Sequence, residues 1–220
     1  SQLTQLAPFE RAFTIATAAV RQLREDGHQI DRLDLGGGLG VPYGVADPPS
    51  PADYGAMVKR VTEGLGCRLM FEPGRLIVAN AGILVTRVIY VKPSAEKVFV
   101  ITDAAMNDLI RPTLYGAHHQ VVPVLQSRSD GAPSTVDIVG PVCETGDILA
   151  ENREMPVPLA DDLLVLRSAG AYAAVMSSTY NARPLVPEVM VRGAAHAVVR
   201  ERQTYDALLA TNALPDWLSP

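Results

Sequence analysis

The sequence predicts an α/β region built of βα units, followed by a β-rich region, a fold class we describe as α/β plus all-β. Two observations carry this prediction. In the first region, short apolar runs end in glycine loops at 36–40 and 72–75, and each loop opens toward a helical stretch. From residue 83 onward, runs rich in β-branched residues alternate with Gly and Pro, which is typical of antiparallel strands.

The first region is predicted from helical periodicity and glycine placement. Apolar residues recur at helical spacing over residues 9–27, and a second helix is predicted over 52–65. Short buried strands are predicted at 33–35 and 68–71. Strand-to-helix glycine loops that lie one helix apart are typical of neighbouring units of an α/β barrel or sheet that holds a phosphate at its strand ends.

The second region is predicted to be mostly antiparallel β structure. Helical signal there is confined to residues 169–178 and 204–210. The predicted strands lie at 83–91, 98–101, 121–125, 135–139, 163–166, 186–191 and 196–200.

Composition excludes several classes of function. The chain has 220 residues, of which 48% are hydrophobic, so it can bury a core. Its net charge is -5 and it has no basic run, so nucleic acid and anionic membranes are poor candidates as partners. Polar residues interrupt the longest apolar stretch, so no transmembrane segment is predicted. Cys67 and Cys143 have no C-x-x-C spacing, which favours a reducing cytoplasm.

The glycine loop at 36–40 fits a backbone nest better than a nucleotide motif. The dinucleotide fingerprint fails because its last glycine position is Val41, and no Lys-Ser or Lys-Thr pair follows for a P-loop. Successive small residues expose N–H groups to an anion. From this loop alone, phosphate binding and a tight turn that needs positive φ are equally good interpretations.

The second loop, at 72–75, adds a carboxylate and a guanidinium. Pro73 and Gly74 fix the turn, so that Glu72 stands at the strand end and Arg75 at the helix start. A structural ion pair is one interpretation of these two charges. A functional role is favoured because catalytic groups stand at the strand ends of a barrel, and the pattern indicates a phosphorylated cofactor that needs a negative partner.

Three further segments carry candidate chemistry. Arg111 and Tyr115 lie four residues apart and could grip a carboxylate from one helical turn, although a solvent-facing loop explains the spacing better. Cys143 beside Glu144 places a thiol that can donate a proton next to a carboxylate, whereas a lone Cys is more often a small buried hydrophobe. Tyr172 could reach a phosphate or a carboxylate, or pack. The four histidines show no ligand spacing, so no metal is predicted.

The strongest pieces of the sequence are DLGGGLGVPY at 34–43, FEPGR at 71–75, TDAAMNDLIRPTLY at 102–115, GPVCETGD at 140–147 and AGAYAAVMSSTYNARP at 169–184. Together, and in this order, they resemble the diaminopimelate decarboxylases. These are pyridoxal 5'-phosphate (PLP) enzymes of the alanine-racemase-like, fold-type III group, which make lysine from meso-diaminopimelate. The resemblance runs over essentially the whole chain.

The resemblance implies a domain organisation and a set of site residues. Residues 1–81 would be the last βα units of a (β/α)8 PLP-binding barrel. Residues 82–220 would form a C-terminal β-sandwich or barrel-like domain, with a helix near 169–178 packed toward the active site. The implied roles are cofactor binding by Gly37, Gly38, Glu72, Gly74, Arg75 and Tyr172, substrate binding by Arg75, Arg111, Tyr115, Glu144 and Tyr172, and reprotonation by Cys143.

The resemblance also implies partners that the chain does not supply. The Schiff-base lysine of the family lies in an N-terminal half that is absent here, and Lys59, Lys92 and Lys97 lack its context. We therefore expect the chain to be the C-terminal portion of a longer or cleaved enzyme and to be inactive alone. The family is a homodimer in which the loop with Cys143 and Glu144 crosses to the partner subunit.

Two alternatives remain open at this point. Another fold-type III decarboxylase, acting on ornithine, arginine or carboxynorspermidine, would share the glycine loop and the FEPGR loop. A non-catalytic homologue would explain the missing lysine, but it fits poorly with retention of Cys143, Glu72 and the glycine loop.

Overall fold

The computed structural model describes residues 2–44, 47–126 and 131–218. The chain divides into two units, and the boundary at residue 84 lies close to the predicted change from βα units to β structure. The first unit consists of Ser1–Leu84, His118–Gln120 and Leu166–Ala171, and the second of Val85–Ala117, Val121–Val165 and Tyr172–Pro220.

The first unit contains two short parallel strands and the helices around them. Strands β1 and β2 pair in register, with Leu33 opposite Leu69. Because parallel strands run in the same direction, the loops that follow them leave the sheet at the same edge. The bounds are α1 Ala7–Glu25, β1 Arg32–Asp34, α2 Pro51–Val61, β2 Arg68–Met70 and α3 Gly74–Val78, with a 3-10 turn at Ala79–Ala81.

Helix α1 buries one face, as its periodicity predicted. It ends where Gly27 takes a φ of +93° and the N–H of His28 donates to the carbonyl of Leu23 at 2.9 Å. This is a Schellman-type stop, which a residue with a Cβ would strain. The buried positions of α1 are Phe9, Phe13, Thr17 and Val20.

Helix α2 begins at a side-chain cap and closes the core of the first unit. The Ser50 hydroxyl accepts the Asp53 N–H at 3.1 Å, which satisfies a donor of the first turn. The rings of Phe9 and Tyr54 meet edge to face with centroids 5.2 Å apart. Helices and strands thus share one apolar core, formed by Phe9, Phe13, Leu35, Leu39, Met57 and Val58.

The second unit is built on a barrel-like sheet, and every strand predicted from residue 83 onward forms. Among the described residues, six strands hydrogen-bond in the order β5-β8-β3-β4-β6-β7. The sheet is mixed, because β4 and β6 pair in parallel while β3–β4 and β6–β7 are antiparallel. The bounds are β3 Leu84–Pro93, β4 Val98–Thr102, β5 Val121–Pro123, β6 Pro133–Val139, β7 Ile148–Pro156 and β8 Leu163–Leu166.

Strand β7 is absent from the sequence-based prediction. Its centre is polar, and its pattern is broken where Asn152 takes a φ of +49°. The Asn152 N–H donates to the buried carboxylate of Asp137 on β6 at 2.7 Å. A tertiary hydrogen bond to the neighbouring strand therefore supports a segment whose own β propensity is low.

The prediction of a helix over 169–178 is wrong. Only a 3-10 turn forms in this stretch, at Ala174–Met176. Ser168 and Tyr172 both have positive φ, at +57° and +60°, so α-helical dihedrals cannot run through this stretch. Gly170 also packs against backbone, since a Cβ on it would lie 1.9 Å from the carbonyl oxygen of Val78.

The remaining elements of the second unit are short. Strands β9 and β10 pair in an antiparallel hairpin. In the part of the chain that the structure describes, no helix has the length and apolar character to cross a bilayer. The bounds are α4 Arg111–Tyr115, β9 Glu188–Arg192, β10 Ala195–Arg200 and α5 Tyr205–Leu209, with 3-10 turns at Tyr180–Ala182 and Asp216–Leu218.

Candidate active site

The predicted site residues fall into two groups, one in each unit. Gly37, Gly38, Glu72, Gly74 and Arg75 lie in the first unit. The second unit contains the other group, which consists of Arg111, Tyr115, Cys143, Glu144 and Tyr172.

In the first unit, backbone hydrogen bonds join the glycine loop to the loop after β2. The Glu72 N–H donates to the carbonyl of Gly36 at 2.8 Å, and the Gly36 N–H is held by the Asp34 carboxylate at 2.8 Å. A Cβ on Gly37 would lie 2.1 Å from the carbonyl oxygen of Glu72. Gly36 and Gly38 take φ of +67° and +104°. The tight-turn interpretation is therefore supported at the backbone, since the glycines serve positive φ and close approach, and phosphate binding by this loop stays a prediction.

Glu72 and Arg75 stand at the start of α3. Glu72 is exposed, and its carbonyl accepts the Gly74 N–H at 2.9 Å. Arg75 donates from Nη1 to the Tyr43 hydroxyl at 2.6 Å, and its guanidinium lies 5.8 Å from the centre of the Tyr43 ring. Tyr43 is buried. The guanidinium is thus fixed by a hydrogen bond and a cation–π contact, while the carboxylate stays accessible to a ligand.

In the second unit, α4 forms the helical turn proposed for Arg111 and Tyr115. Arg111, in the first turn, is 6% exposed, whereas Tyr115, at the end, is 65% exposed. Thr113 donates from its hydroxyl to the carbonyl of Gly146 at 2.6 Å. This bond joins α4 to the loop at 140–147, so the substrate-binding candidates and the thiol loop are positioned together.

The loop at 140–147 is organised around the buried carboxylate of Asp147. One oxygen accepts the Met106 N–H and the other accepts the Val142 N–H, both at 2.7 Å. A Cβ on Gly140 would lie 2.3 Å from this carboxylate, so a glycine is required there. Burial raises the pKa of the Asp147 carboxyl above its ordinary range, and the two N–H donors act against that rise. The result is a rigid loop that exposes Cys143 and Glu144.

Tyr180 contacts the candidate residue Glu144, and the sequence analysis did not predict this contact. Its hydroxyl donates to Glu144 Oε2 at 3.2 Å. This hydrogen bond is the main cause that raises the pKa of Tyr180, and the charge that Cys143 can carry acts in the same direction. Because 36 residues separate Tyr180 from Glu144, no local pattern could predict their contact. The only signal for Tyr180 in the sequence was its place inside the 169–184 segment.

The Tyr180 segment is tied to the turn before α4. Asn107, which is buried, donates from Nδ2 to the carbonyl of Ser178 at 3.1 Å and accepts from Arg183 Nε at 2.9 Å. Arg183 also pairs with the buried Asp108 carboxylate at 3.6 Å. Burial is the main cause that raises the pKa of Asp108. Segments far apart in the sequence therefore form one polar network.

Tyr172 lies in the second unit with a positive φ of +60° and is 41% exposed. A tyrosine with positive φ is uncommon, and such backbone strain clusters at functional sites. Among the described residues, no group of three or more His, Cys, Asp or Glu side chains could hold a metal ion.

Comparison with known proteins places the chain in a family. A sequence model described as pyridoxal-dependent decarboxylase, C-terminal sheet domain, matches residues 15–170. The chain belongs to this family of pyridoxal-dependent decarboxylases. The fold expectation is thereby confirmed for the β-rich region, which is the C-terminal sheet domain of the family.

Named relatives are similar to this chain over nearly its whole length. The chain is 52% identical to the diaminopimelate decarboxylase of Zymomonas mobilis over 220 residues, which are 99% of this chain and 52% of that protein. It is 50% identical to the diaminopimelate decarboxylase of Pseudomonas aeruginosa, over 97% of this chain and 51% of that protein. The chain thus spans about half the length of these relatives.

A solved structure agrees with the sequence relatives. The crystal structure of diaminopimelate decarboxylase from Helicobacter pylori complexed with L-lysine superposes with a TM-score of 0.89 at 34% identity. The match covers 96% of this chain and 52% of that one. The resemblance seen in the sequence motifs is therefore confirmed.

Proposed function

We propose that the chain is part of a PLP-dependent carboxy-lyase that converts meso-diaminopimelate to L-lysine. The observation that carries the proposal is the rigid loop that exposes Cys143 beside Glu144, and Arg111 on α4 supplies a guanidinium. A proton donor, a carboxylate and a guanidinium match a substrate with an ammonium and a carboxylate at a distance from its reacting carbon. The identity of about 50% to named diaminopimelate decarboxylases supports the choice of substrate.

The residues of the first unit fit PLP as the cofactor, which the family requires. A Cβ built on Gly36 or Gly74 would meet nothing within 4 Å, so both loops leave open space for a ligand. Gly37, Gly38, Gly74 and Arg75 would hold the phosphate with backbone groups and a guanidinium, and Tyr172 would contact the cofactor. Glu72 would pair with the pyridine nitrogen. Bound PLP supplies the electron sink for decarboxylation.

The side chains of the second unit would handle the substrate. Arg111 would pair with a substrate carboxylate as a two-pronged donor, and Tyr115 would lie alongside it. Glu144 would accept hydrogen bonds from the distal ammonium group. The Cys143 Sγ–H would deliver a proton to the carbon that has lost its carboxylate, which leaves a thiolate to be reprotonated from solvent.

The partners and the location of the protein are also part of this proposal. The reaction needs a Schiff-base lysine, which we propose is supplied by the part of the relatives that this chain does not match. We further propose a homodimer in which the loop with Cys143 and Glu144 serves the site of the partner subunit. Residues 1–81 would be the closing units of the barrel. A cytoplasmic location stays a prediction.

The test of this proposal compares the two cysteines in the intact gene product supplied with PLP. We expect Cys143→Ser to lower kcat for lysine formation from meso-diaminopimelate by about a hundredfold or more, because a positioned proton donor is worth that much. Cys67→Ser is the matched control, since Cys67 is a free, half-buried thiol of the first unit, and its kcat should stay within about twofold. Equal activity of the two variants would overturn the role of Cys143.

A further inference from the structure

The Glu144 carboxylate is held at both oxygens. Oε1 accepts the Gly146 N–H at 3.2 Å, and Oε2 accepts the Tyr180 hydroxyl at 3.2 Å. The first donor belongs to the same rigid loop, so it moves with Glu144. The second comes from a segment 36 residues away, which makes Tyr180 the contact that fixes how the carboxylate is oriented.

The Tyr180 segment is itself held in a strained conformation. Asn181 and Ala182 take φ of +61° and +55°, a region that residues with a Cβ adopt at a cost. Hydrogen bonds on either side maintain it, since the Ser178 N–H donates to the Asn107 carbonyl at 2.9 Å and Arg183 donates to the Asn107 side chain. Placing the Tyr180 hydroxyl beside Glu144 therefore requires a backbone conformation that is unfavourable in itself.

A purely stabilising role does not account for this contact. Tyr180 is 45% exposed and Glu144 is also exposed, and a polar contact at such a position adds little to the stability of a fold. A tyrosine hydroxyl ordinarily titrates near pH ~10 and so carries its proton near neutrality, and the hydrogen bond to Glu144 raises the pKa of Tyr180 further. It therefore serves as a constant donor to a carboxylate that must face a ligand.

We propose that Tyr180 is a positioning residue that orients the Glu144 carboxylate toward the distal ammonium group of the substrate. This inference rests on the proposed function, and it extends that function to a residue that the sequence analysis does not assign to the site. Because Tyr180 acts through Glu144, its loss weakens substrate binding and leaves the proton transfer from Cys143 in place.

The kinetic test uses Tyr180→Phe in the intact gene product with PLP. We expect KM for meso-diaminopimelate to rise about fivefold while kcat stays within about twofold, because the ring remains and only one hydrogen bond to a charged group is lost. In a Glu144→Ala background, which removes the acceptor of the Tyr180 hydroxyl, Tyr180→Phe should add nothing. The matched control is Tyr205→Phe on α5, where the tyrosine is 65% exposed and KM should not change.

Two results would overturn the inference. One is an unchanged KM in Tyr180→Phe. The other is the same rise in KM with and without Glu144→Ala, since that would mean that Tyr180 acts independently of Glu144. A thermal unfolding midpoint of Tyr180→Phe close to that of the wild type guards against a folding defect.

A second measurement separates this inference from the proposed function. The titration of Tyr180 can be followed by NMR in protein labelled at the tyrosine ring carbons and assigned with Tyr180→Phe. Glu144→Ala should move this titration to lower pH, because it removes both the hydrogen bond and the charge that raise the pKa of Tyr180. An unmoved titration would refute the contact whatever the substrate is, whereas a wild type that does not turn over meso-diaminopimelate refutes the proposed function alone.

Discussion

The backbone of Gly37 lies against the carbonyl oxygen of Glu72, so closely that a Cβ on Gly37 would sit 2.1 Å from that oxygen. A hydrogen bond between the neighbouring residues, from the Glu72 N–H to the Gly36 carbonyl at 2.8 Å, holds the two loops together. The proposed phosphate loop and the carboxylate proposed for the pyridine nitrogen are therefore one rigid piece. Their spacing is set by main chain, which substitutions elsewhere disturb little.

The first prediction is that Gly37→Ala separates these loops. The added methyl group overlaps main chain that cannot rotate away, so we expect a loss of about 1–3 kcal/mol in the free energy of unfolding. PLP affinity should fall about tenfold or more, measured by absorbance titration of the intact gene product. The control is Gly55→Ala in α2, where a Cβ would meet nothing within 4 Å and alanine favours the helix. Equal PLP affinity in both variants would contradict this prediction.

The second prediction concerns the hydrogen bond from Arg75 to Tyr43. Tyr43→Phe removes the acceptor 2.6 Å from Nη1 and keeps the ring, so the guanidinium loses one of its restraints. We expect PLP affinity to fall about threefold to tenfold, because a hydrogen bond to a charged group is worth roughly 1 kcal/mol or more. The same absorbance titration measures it, with Tyr90→Phe at an exposed position as the control. A Tyr43→Phe variant that binds PLP like the control would count against this restraint.

The third prediction is a pH dependence that comes from Asp147. Burial raises the pKa of this carboxyl in the folded chain, so its contribution to stability is fully present below the unfolded pKa, about 3.9. The contribution is lost as pH rises through the folded pKa. Asp147→Asn should be destabilised at every pH, because an amide cannot accept both N–H groups. The difference in the free energy of unfolding between Asp147→Asn and the wild type should become smaller as pH rises from about 4.

Urea unfolding at a series of pH values measures this difference. Asp161→Asn is the control, because the Asp161 side chain is 87% exposed and its replacement should change the free energy of unfolding only slightly. A difference for Asp147→Asn that grows with pH would show that the folded pKa is lowered instead.

The fourth prediction concerns the network around Asn107. Asn107→Ala leaves the Ser178 carbonyl and Arg183 Nε without their partner, so we expect a loss of about 2 kcal/mol in the free energy of unfolding. Tyr180 should also lose its place, so the KM for meso-diaminopimelate should rise along with the loss of stability. Asn212→Ala, at an exposed asparagine after α5, is the control for both the free energy of unfolding and KM. Stability loss with an unchanged KM would separate the network from the positioning of Tyr180.

Local patterns predicted the elements that depend on local physics. The periodicity of α1 and α2 and the β-branched runs from residue 83 each gave an element of the right type. Elements that depend on distant partners were missed or mistaken. Strand β7 is supported by a bond from Asn152 to Asp137, and the stretch at 169–178 is held out of α-helical form by positive φ at Ser168 and Tyr172.

The same distinction between local patterns and distant partners applies to the candidate site. Motifs with fixed spacing, such as the glycine loop and the Cys143–Glu144 pair, identified residues that the fold places on rigid loops. Tyr180 was not predicted as a site residue, because its partner Glu144 is 36 positions away and no local pattern links them. The parallel pairing of β4 with β6 was missed for the same reason, since it joins strands that are not consecutive.

The measurement that tests the central claim most directly is the ratio of kcat/KM for meso-diaminopimelate to kcat/KM for L-ornithine, in the intact gene product with PLP. The account predicts lysine formation and a ratio well above about 100, because ornithine lacks the distal carboxylate and would leave a charged binding group unpaired. Faster turnover of ornithine, or no turnover of either substrate by a protein that binds PLP, would contradict it.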